Sequence, residues 1–265
     1  NNANKTLILE DGAVITGANS DGSSLFAGTG TMILEGGEIR DNTVSDLYNA
    51  GMINVATFQM KGGKICNNQI SGSRGVALIM GEDEASVQIM GGTIEENQIK
   101  SVDGIGSAIY ITVDEYEDMT CEISGGIIRK NGGTRASAIY YAAEYKANSP
   151  RLIISGGIIS ENYNLDGSDP IQINSPIRID AKNFELKGGT AAIEDGIYLS
   201  YKDYMITLSG AIYQDTRKYT VYLGSSFGKG DTVVKPDGNW LMDAKPYLTN
   251  FNVISHPYIL DRGQS

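Results

Sequence analysis

Three aspartates are the residues whose type and spacing could support hydrolysis. Asp166 and Asp169 lie three positions apart, just after Asn164, and Asp103 lies in an earlier loop. Two carboxylates placed across a glycosidic bond can act as a general acid and as a base or nucleophile. The phrase Asn-x-Asp-Gly is also ordinary turn chemistry, because these residue types favour tight turns. We therefore predict no catalytic residues, with hydrolysis at Asp103, Asp166 and Asp169 as the alternative.

Two acidic loops could hold a calcium ion. Carboxylate oxygens are the ligands that Ca²⁺ prefers. The spacing matches no EF-hand loop, however, and solvated loop charge explains these residues equally well. We predict no metal and no cofactor, with a calcium site at these loops as the alternative. The residues are Glu82, Asp83 and Glu84 in one loop and Asp114, Glu115, Glu117 and Asp118 in the next.

Tyrosine is the third candidate, with 15 copies against one tryptophan. Four short alternating segments each place a tyrosine after an apolar residue, so the tyrosine should point outward where the apolar residue points inward. Rigid phenols offer contact area with a polar tip, as a glycan- or protein-binding face needs. Stacked tyrosines that favour strand pairing are the structural alternative. The predicted binding residues are Tyr110, Tyr140, Tyr198 and Tyr222, with Gln172 filling the position between Tyr140 and Tyr198. Tyr116, Tyr145 and Tyr163 are expected on nearby loops.

A repeated phrase, Gly-Gly-x-Ile-x-x-Asn, supplies the elements that must position these residues. Its five copies begin at residues 36, 62, 91, 125 and 156, and related copies begin at 11, 188 and 210, a mean spacing of about 28 residues. Internal repeats of this length indicate a solenoid. The pieces between the turn residues are short, alternating and β-branched, as strands are. The 33 glycines argue against long helices.

The sequence thus predicts an all-β right-handed parallel β-helix over residues 1–223, with about eight rungs of three short strands each. Residues 224–265 are predicted to be a C-terminal cap or a linker to a following module. The Gly-Gly pair should form a tight corner. The asparagine should occupy a left-handed turn and bond through its amide to the neighbouring rung. Cys66 and Cys121 are expected to be unpaired.

Composition excludes some partners. The net charge of −11 disfavours nucleic acid and anionic membrane surfaces. No apolar run approaches the length of a membrane span. We therefore expect neither nucleic-acid binding nor membrane insertion.

The repeated phrase and its apolar-x-apolar lead-in resemble the pectin-lyase-like β-helix repeats of large, adhesin-like surface proteins of Gram-positive bacteria. The resemblance covers about residues 5–223. It implies an extracellular place on the bacterial cell surface, as a monomeric segment of a larger multidomain protein. The scaffold alone does not define an activity. Polygalacturonase-like hydrolases resemble one another in Asn-x-Asp-Gly, Asp-Asp, Gly-His-Gly and Arg-x-Lys phrases, of which this sequence contains the first alone.

These observations favour a non-enzymatic adhesin-like or display segment that binds a glycan or a host surface protein on an exposed face of the β-helix. A polysaccharide hydrolase or lyase on the same fold is the alternative. A purely structural stalk is a second alternative.

Overall fold

The computed structural model describes residues 5–81, 85–113, 119–143, 151–165, 176–212, 218–237 and 250–254. Within these ranges the chain forms 29 strands and no α-helix. The strands make three sheets of sixteen, seven and six strands, in which neighbouring strands run parallel. The predicted parallel β-helix is therefore confirmed, while its right hand and its number of rungs stay predictions.

Sheet 1 holds the lead-in strands of the repeat and the strands that carry the tyrosines. Its strands are β1 (Thr6–Leu9), β4 (Phe26–Leu34), β7 (Gly51–Met60), β10 (Val76–Gly81), β11 (Ser86–Ile89), β14 (Gly106–Val113), β15 (Thr120–Ile123), β18 (Ile139–Ala143), β19 (Arg151–Ile154), β22 (Ile177–Asp180), β23 (Phe184–Leu186), β25 (Ile197–Leu199), β26 (Ile206–Leu208), β27 (Tyr219–Leu223), β28 (Val234–Pro236) and β29 (Phe251–Ile254).

Sheets 2 and 3 flank the corner made by each asparagine. Sheet 2 consists of β2 (Val14–Thr16), β5 (Glu38–Arg40), β8 (Lys64–Cys66), β12 (Thr93–Glu95), β16 (Ile127–Arg129), β20 (Ile158–Ser160) and β24 (Ala192–Ile193). Sheet 3 consists of β3 (Asn19–Asp21), β6 (Thr43–Tyr48), β9 (Gln69–Ser73), β13 (Gln98–Ser101), β17 (Gly132–Gly133) and β21 (Tyr163–Asn164).

A single coil shows how the chain winds. It runs from β11 in sheet 1 through the Gly-Gly corner to β12 in sheet 2, past the asparagine to β13 in sheet 3, and back to sheet 1 in β14. The sequence pattern missed the sheet 3 strands, because β13 carries one apolar residue, Ile99, among polar ones. This coil therefore has four strands, whereas the coil of β23, β24 and β25 has the predicted three.

The isoleucine of each repeated phrase fills the core. These side chains are at most 1% exposed, and they stack in register from coil to coil through sheet 2. Complete burial of one such side chain contributes roughly 1.5–3 kcal/mol. The column consists of Ile39, Ile65, Ile94, Ile128 and Ile159.

The Gly-Gly corner needs both of its glycines, as predicted. At the second copy, a Cβ on Gly62 would overlap the carbonyl oxygen of Glu35 in the preceding coil. Gly63 has a φ of +73°, and a Cβ there would overlap the carbonyl oxygen of Gly37. Stacked corners therefore approach too closely for any side chain.

The five asparagines of the phrase form a buried amide ladder. Each donates a side-chain N–H to the amide oxygen of the next asparagine at 2.9 to 3.0 Å, and the last one, Asn162, donates its backbone N–H to Asp195 at 2.9 Å. Burial raises the pKa of Asp195. The predicted bond between rungs is confirmed. The predicted left-handed conformation instead belongs to the residue before each asparagine, with φ between 54° and 58°, which leaves the asparagine free to bond along the ladder. The ladder is Asn42, Asn68, Asn97, Asn131 and Asn162.

The outer face of sheet 2 holds a buried carboxylate. Glu95 is 6% exposed, and its oxygens accept from Lys64 Nζ at 2.6 Å and from Arg129 Nε at 2.7 Å. The hydrogen bond from Lys64, followed by that from Arg129, holds the pKa of Glu95 below its usual range against the opposing effect of burial. The two cations stand on the neighbouring strands β8 and β16, so the ion pairs connect three coils.

Sheet 1 continues past residue 223. β28 pairs with β26, and β29 pairs with β27, both in parallel register. Part of the segment predicted to be a cap or linker thus extends the sheet, and the proposed division at residue 223 stays a prediction. No helix in the described part of the chain is long and apolar enough to cross a membrane.

Candidate functional site

The four predicted tyrosines share one column of sheet 1. Tyr110 pairs with Tyr140, and Tyr198 pairs with Tyr222, on adjacent parallel strands. Arg178 on β22 occupies the position between Tyr140 and Tyr198. The prediction that Gln172 fills this position was wrong, because β22 is aligned by Ile177 and Ile179 and not by the residues around Gln172. Gln172 itself lies outside the described residues. We call Tyr110, Tyr140, Arg178, Tyr198 and Tyr222 the aromatic column.

The side chains of the column leave the strands on the side away from the core. Each follows a fully buried apolar residue, such as Ile139 before Tyr140, and strand alternation turns it to the opposite face. Tyr110 accordingly belongs to a small cluster with Ala77, Met80 and Ala142, separate from the main core. The predicted direction of the tyrosines is therefore confirmed.

The column is less exposed than predicted. Tyr110 is 8% exposed and Tyr198 is 7% exposed, while Tyr140 and Tyr222 are half-buried. Glycines provide space for two of the rings. A Cβ on Gly75 would overlap Cε1 of Tyr110, and a Cβ on Gly196 would lie 2.8 Å from Cε2 of Tyr222. Because Tyr110 and Tyr198 are covered, and the faces of Tyr110 and Tyr140 stack on each other, the column offers ring edges and hydroxyls rather than four open faces.

Contacts within the column fix its side chains. The rings of Tyr110 and Tyr140 stack, with centroids 4.9 Å apart and planes at 19°. The guanidinium of Arg178 lies 5.9 Å from the ring centroid of Tyr140 and 5.3 Å from that of Tyr198, within the range of cation–π attraction. A column held in this way loses little side-chain freedom on binding.

One carboxylate joins the cation to the phenol. Asp180 accepts from Arg178 Nε at 2.9 Å and from the hydroxyl of Tyr140 at 2.9 Å. Burial, followed by the nearby charge of Asp180, raises the pKa of Tyr140. The hydroxyl therefore stays protonated and donates at physiological pH. The arrangement combines apolar ring surface with fixed polar groups, which is the composition of a recognition surface.

The remaining predicted site residues are not assembled by the described structure. Asp103 is exposed on the turn between β13 and β14, and Asp166 and Asp169 lie outside the described residues. Tyr116 and Tyr145 lie outside them as well. The same holds for all seven acidic loop residues, Glu82, Asp83, Glu84, Asp114, Glu115, Glu117 and Asp118. Hydrolysis and calcium binding at these positions stay predictions.

Metal-binding side chains do not gather elsewhere in the described ranges, where no group of three or more His, Cys, Asp or Glu residues could hold an ion. Cys66 and Cys121 are free, as predicted, and both are buried. Burial raises the pKa of both thiols. Neither is poised as a nucleophile, because a nucleophilic cysteine needs a lowered pKa.

Sequence reasoning missed Arg178 and Asp180. The signal was present in the Ile177-Arg178-Ile179-Asp180 alternation, which has the same period as the tyrosine segments but lacks their apolar-Tyr pair.

Comparison with known proteins does not assign the chain to a family, since no family model, curated protein or solved structure matches it significantly.

Proposed function

We propose that this chain is a non-enzymatic binding and display segment, which presents the aromatic column to a glycan or a host surface protein. The observation that carries the proposal is the column itself, in which stacked and cation–π contacts order four side chains in register along a rigid sheet, with Tyr222 paired beside Tyr198. Ordered aromatic and arginine side chains are the groups that dominate binding surfaces. The accessible part comprises Tyr140, Arg178 and Tyr222.

The setting we propose is the surface of a Gram-positive bacterium, within a larger adhesin-like protein of the pectin-lyase-like β-helix class. What supports it is the repeated Gly-Gly-x-Ile-x-x-Asn phrase together with the parallel β-helix that it forms. A β-helix suits display, because each coil contacts its neighbours directly and the stacked coils form a stiff unit.

A purely structural stalk is the second candidate. The observation that favours it is that Asp180 already satisfies both Arg178 and the hydroxyl of Tyr140, while Tyr110 and Tyr198 are covered. In that case the column would serve to hold coils together.

Binding to glycan arrays and to host-cell surface proteins tests the proposal. Tyr140→Ser and Tyr222→Ser should each abolish most of the signal shown by the unaltered protein. Tyr163→Ser is the matched control, because Tyr163 is 43% exposed on sheet 3 and lies outside the column. Circular dichroism checks that all three variants remain folded.

Binding that is unchanged in both column variants, or equally reduced by Tyr163→Ser, would favour the stalk. Release of reducing sugar from a polysaccharide panel would instead support the enzyme alternative. Loss of that release in Asp103→Asn or Asp166→Asn would identify the carboxylates responsible.

A further inference from the structure

A cavity of about 360 Å³ lies where two neighbouring coils turn within sheet 1. One wall comes from the turn between β22 and β23 and another from the turn between β25 and β26, with β28 beside them. The described residues that line it are Lys182, Asn183, Asp203, Met205, Thr207 and Lys235. We propose that this cavity binds the sulfate or carboxylate group of an acidic saccharide.

The charged residues that line the cavity favour an anionic ligand. Lys182 and Lys235 form no ion pair within the described part of the chain. Asp203 is the one acidic residue among the described lining residues, so two ammonium groups face one carboxylate on a chain whose net charge is −11. A cavity lined by two ammonium groups and one carboxylate carries a net positive charge, which attracts anions.

The neighbouring carboxylates are engaged elsewhere. Asp180 is held by Arg178, and Glu185 accepts a hydrogen bond from the hydroxyl of Ser209. Neither forms an ion pair with Lys182 or Lys235 in the described part of the chain, so both ammonium groups can pair with a ligand.

The walls of the cavity are fixed by the fold. Thr207 pairs with Lys235 on adjacent strands, so their side chains leave the same outer face roughly 4.8 Å apart. The carbonyl of Lys182 accepts from the hydroxyl of Tyr141 at 2.7 Å, and the backbone N–H of Tyr204 donates to the carbonyl of Tyr201 at 2.9 Å. Turns anchored in this way need little reorganisation when a ligand binds.

The size and polarity of the lining define the rest of the ligand. A cavity of about 360 Å³ falls at the small end of ligand sites. The hydroxyl of Thr207 and the carboxylate of Asp203 can pair with sugar hydroxyls, and Met205 offers an apolar contact. The choice of a saccharide as carrier rests on the binding function proposed above, whereas the oxyanion site does not.

Backbone amide chemical shifts test the site. Labelled protein is titrated with glucose 6-sulfate, with glucuronate and with glucose at constant ionic strength. We expect saturable shifts at the amides of Asn183 and Thr207 with the sulfated sugar, the carboxylated sugar or both, and none with glucose. Whichever anion binds identifies the group that the site prefers.

Variants distinguish binding in the cavity from nonspecific attraction of anions to surface lysines. Lys182→Gln and Lys235→Gln should each weaken binding about tenfold, the usual effect of losing one charged hydrogen bond. Lys202→Gln is the control, because it removes the same charge from the turn between β25 and β26 without lining the cavity. Tyr222→Ser should leave this affinity unchanged, so that failure of the column and failure of the cavity are distinguishable. No saturable shift with either anion, or an equal loss in Lys202→Gln, would overturn the proposal.

Discussion

Replacing the central asparagine of the ladder tests whether the amides hold the coils together. Asn97 is fully buried, and its amide nitrogen donates to the carbonyls of Ile65 and Glu95 and to Asn131. Its amide oxygen accepts from both the backbone and the side chain of Asn68, at 3.1 and 2.9 Å. Asn97→Ala therefore leaves the buried backbone N–H of Asn68 without a partner and removes a bond from the side-chain amide of Asn68. It also removes a donor from two carbonyls and from the amide oxygen of Asn131.

Each buried polar group left unsatisfied costs about 1–3 kcal/mol, so we expect Asn97→Ala to lower the free energy of unfolding by about 4 kcal/mol. Urea denaturation followed by circular dichroism measures this change. Gln98→Ala is the matched control, because it removes an exposed amide one residue away and should change stability by less than about 0.5 kcal/mol. Hydrogen exchange gives a local readout, since the amide of Asn68 should lose protection. A loss below about 1 kcal/mol with Asn68 still protected would refute the reasoning.

Three further predictions concern charge, corners and thiols. Glu95→Gln should destabilise the protein by about 1 kcal/mol at pH 7. Because the folded pKa is depressed, the contribution of Glu95 is complete above its unfolded pKa of about 4.3 and is lost as the pH falls through the folded pKa, so denaturation curves of the two proteins should converge in acid. Gly63→Ala should cost about 3 kcal/mol, whereas Gly12→Ala, which has a similar positive φ but nothing within 4 Å of a Cβ, should cost about 1 kcal/mol by the same denaturation assay. Equal costs would show that coil contact at the corner is unimportant. Cys66 and Cys121 should not react with a thiol reagent at pH 8 in the folded protein, because burial raises the pKa of both, and both should react in guanidinium; rapid reaction before unfolding would contradict their burial.

The parallel β-helix was predictable from the sequence, because the features that form it are local. The Gly-Gly corners, the inward isoleucines and the asparagine ladder each depend on a few consecutive residues, and repetition reveals them. The same logic failed for sheet 3, whose strand β13 has a single apolar residue, Ile99. The sequence pattern also assigned the left-handed conformation to the asparagine. The structure places it at the preceding residue, because the side chain of the asparagine bonds along the ladder.

The surface was less predictable, because it depends on how coils of unequal length align. The sequence placed the tyrosines on one outer face, and the structure bears out that direction. It could not show that Gly75 and Gly196 would provide space for the rings of Tyr110 and Tyr222, since those contacts join residues from different coils. Nor could it show that Arg178 would replace Gln172 in the column.

The sequence by itself determined that this protein is a parallel β-helix, because alternation, turn residues and period are written into each coil separately. Only the tertiary structure decided which charges meet and which cavities form. Glu95 finds its cations 31 and 34 residues away, and the cavity draws Lys182 and Lys235 together from positions 53 residues apart. These contacts depend on how neighbouring coils align. Insertions in the turns determine that alignment, so it cannot be read from a single repeat.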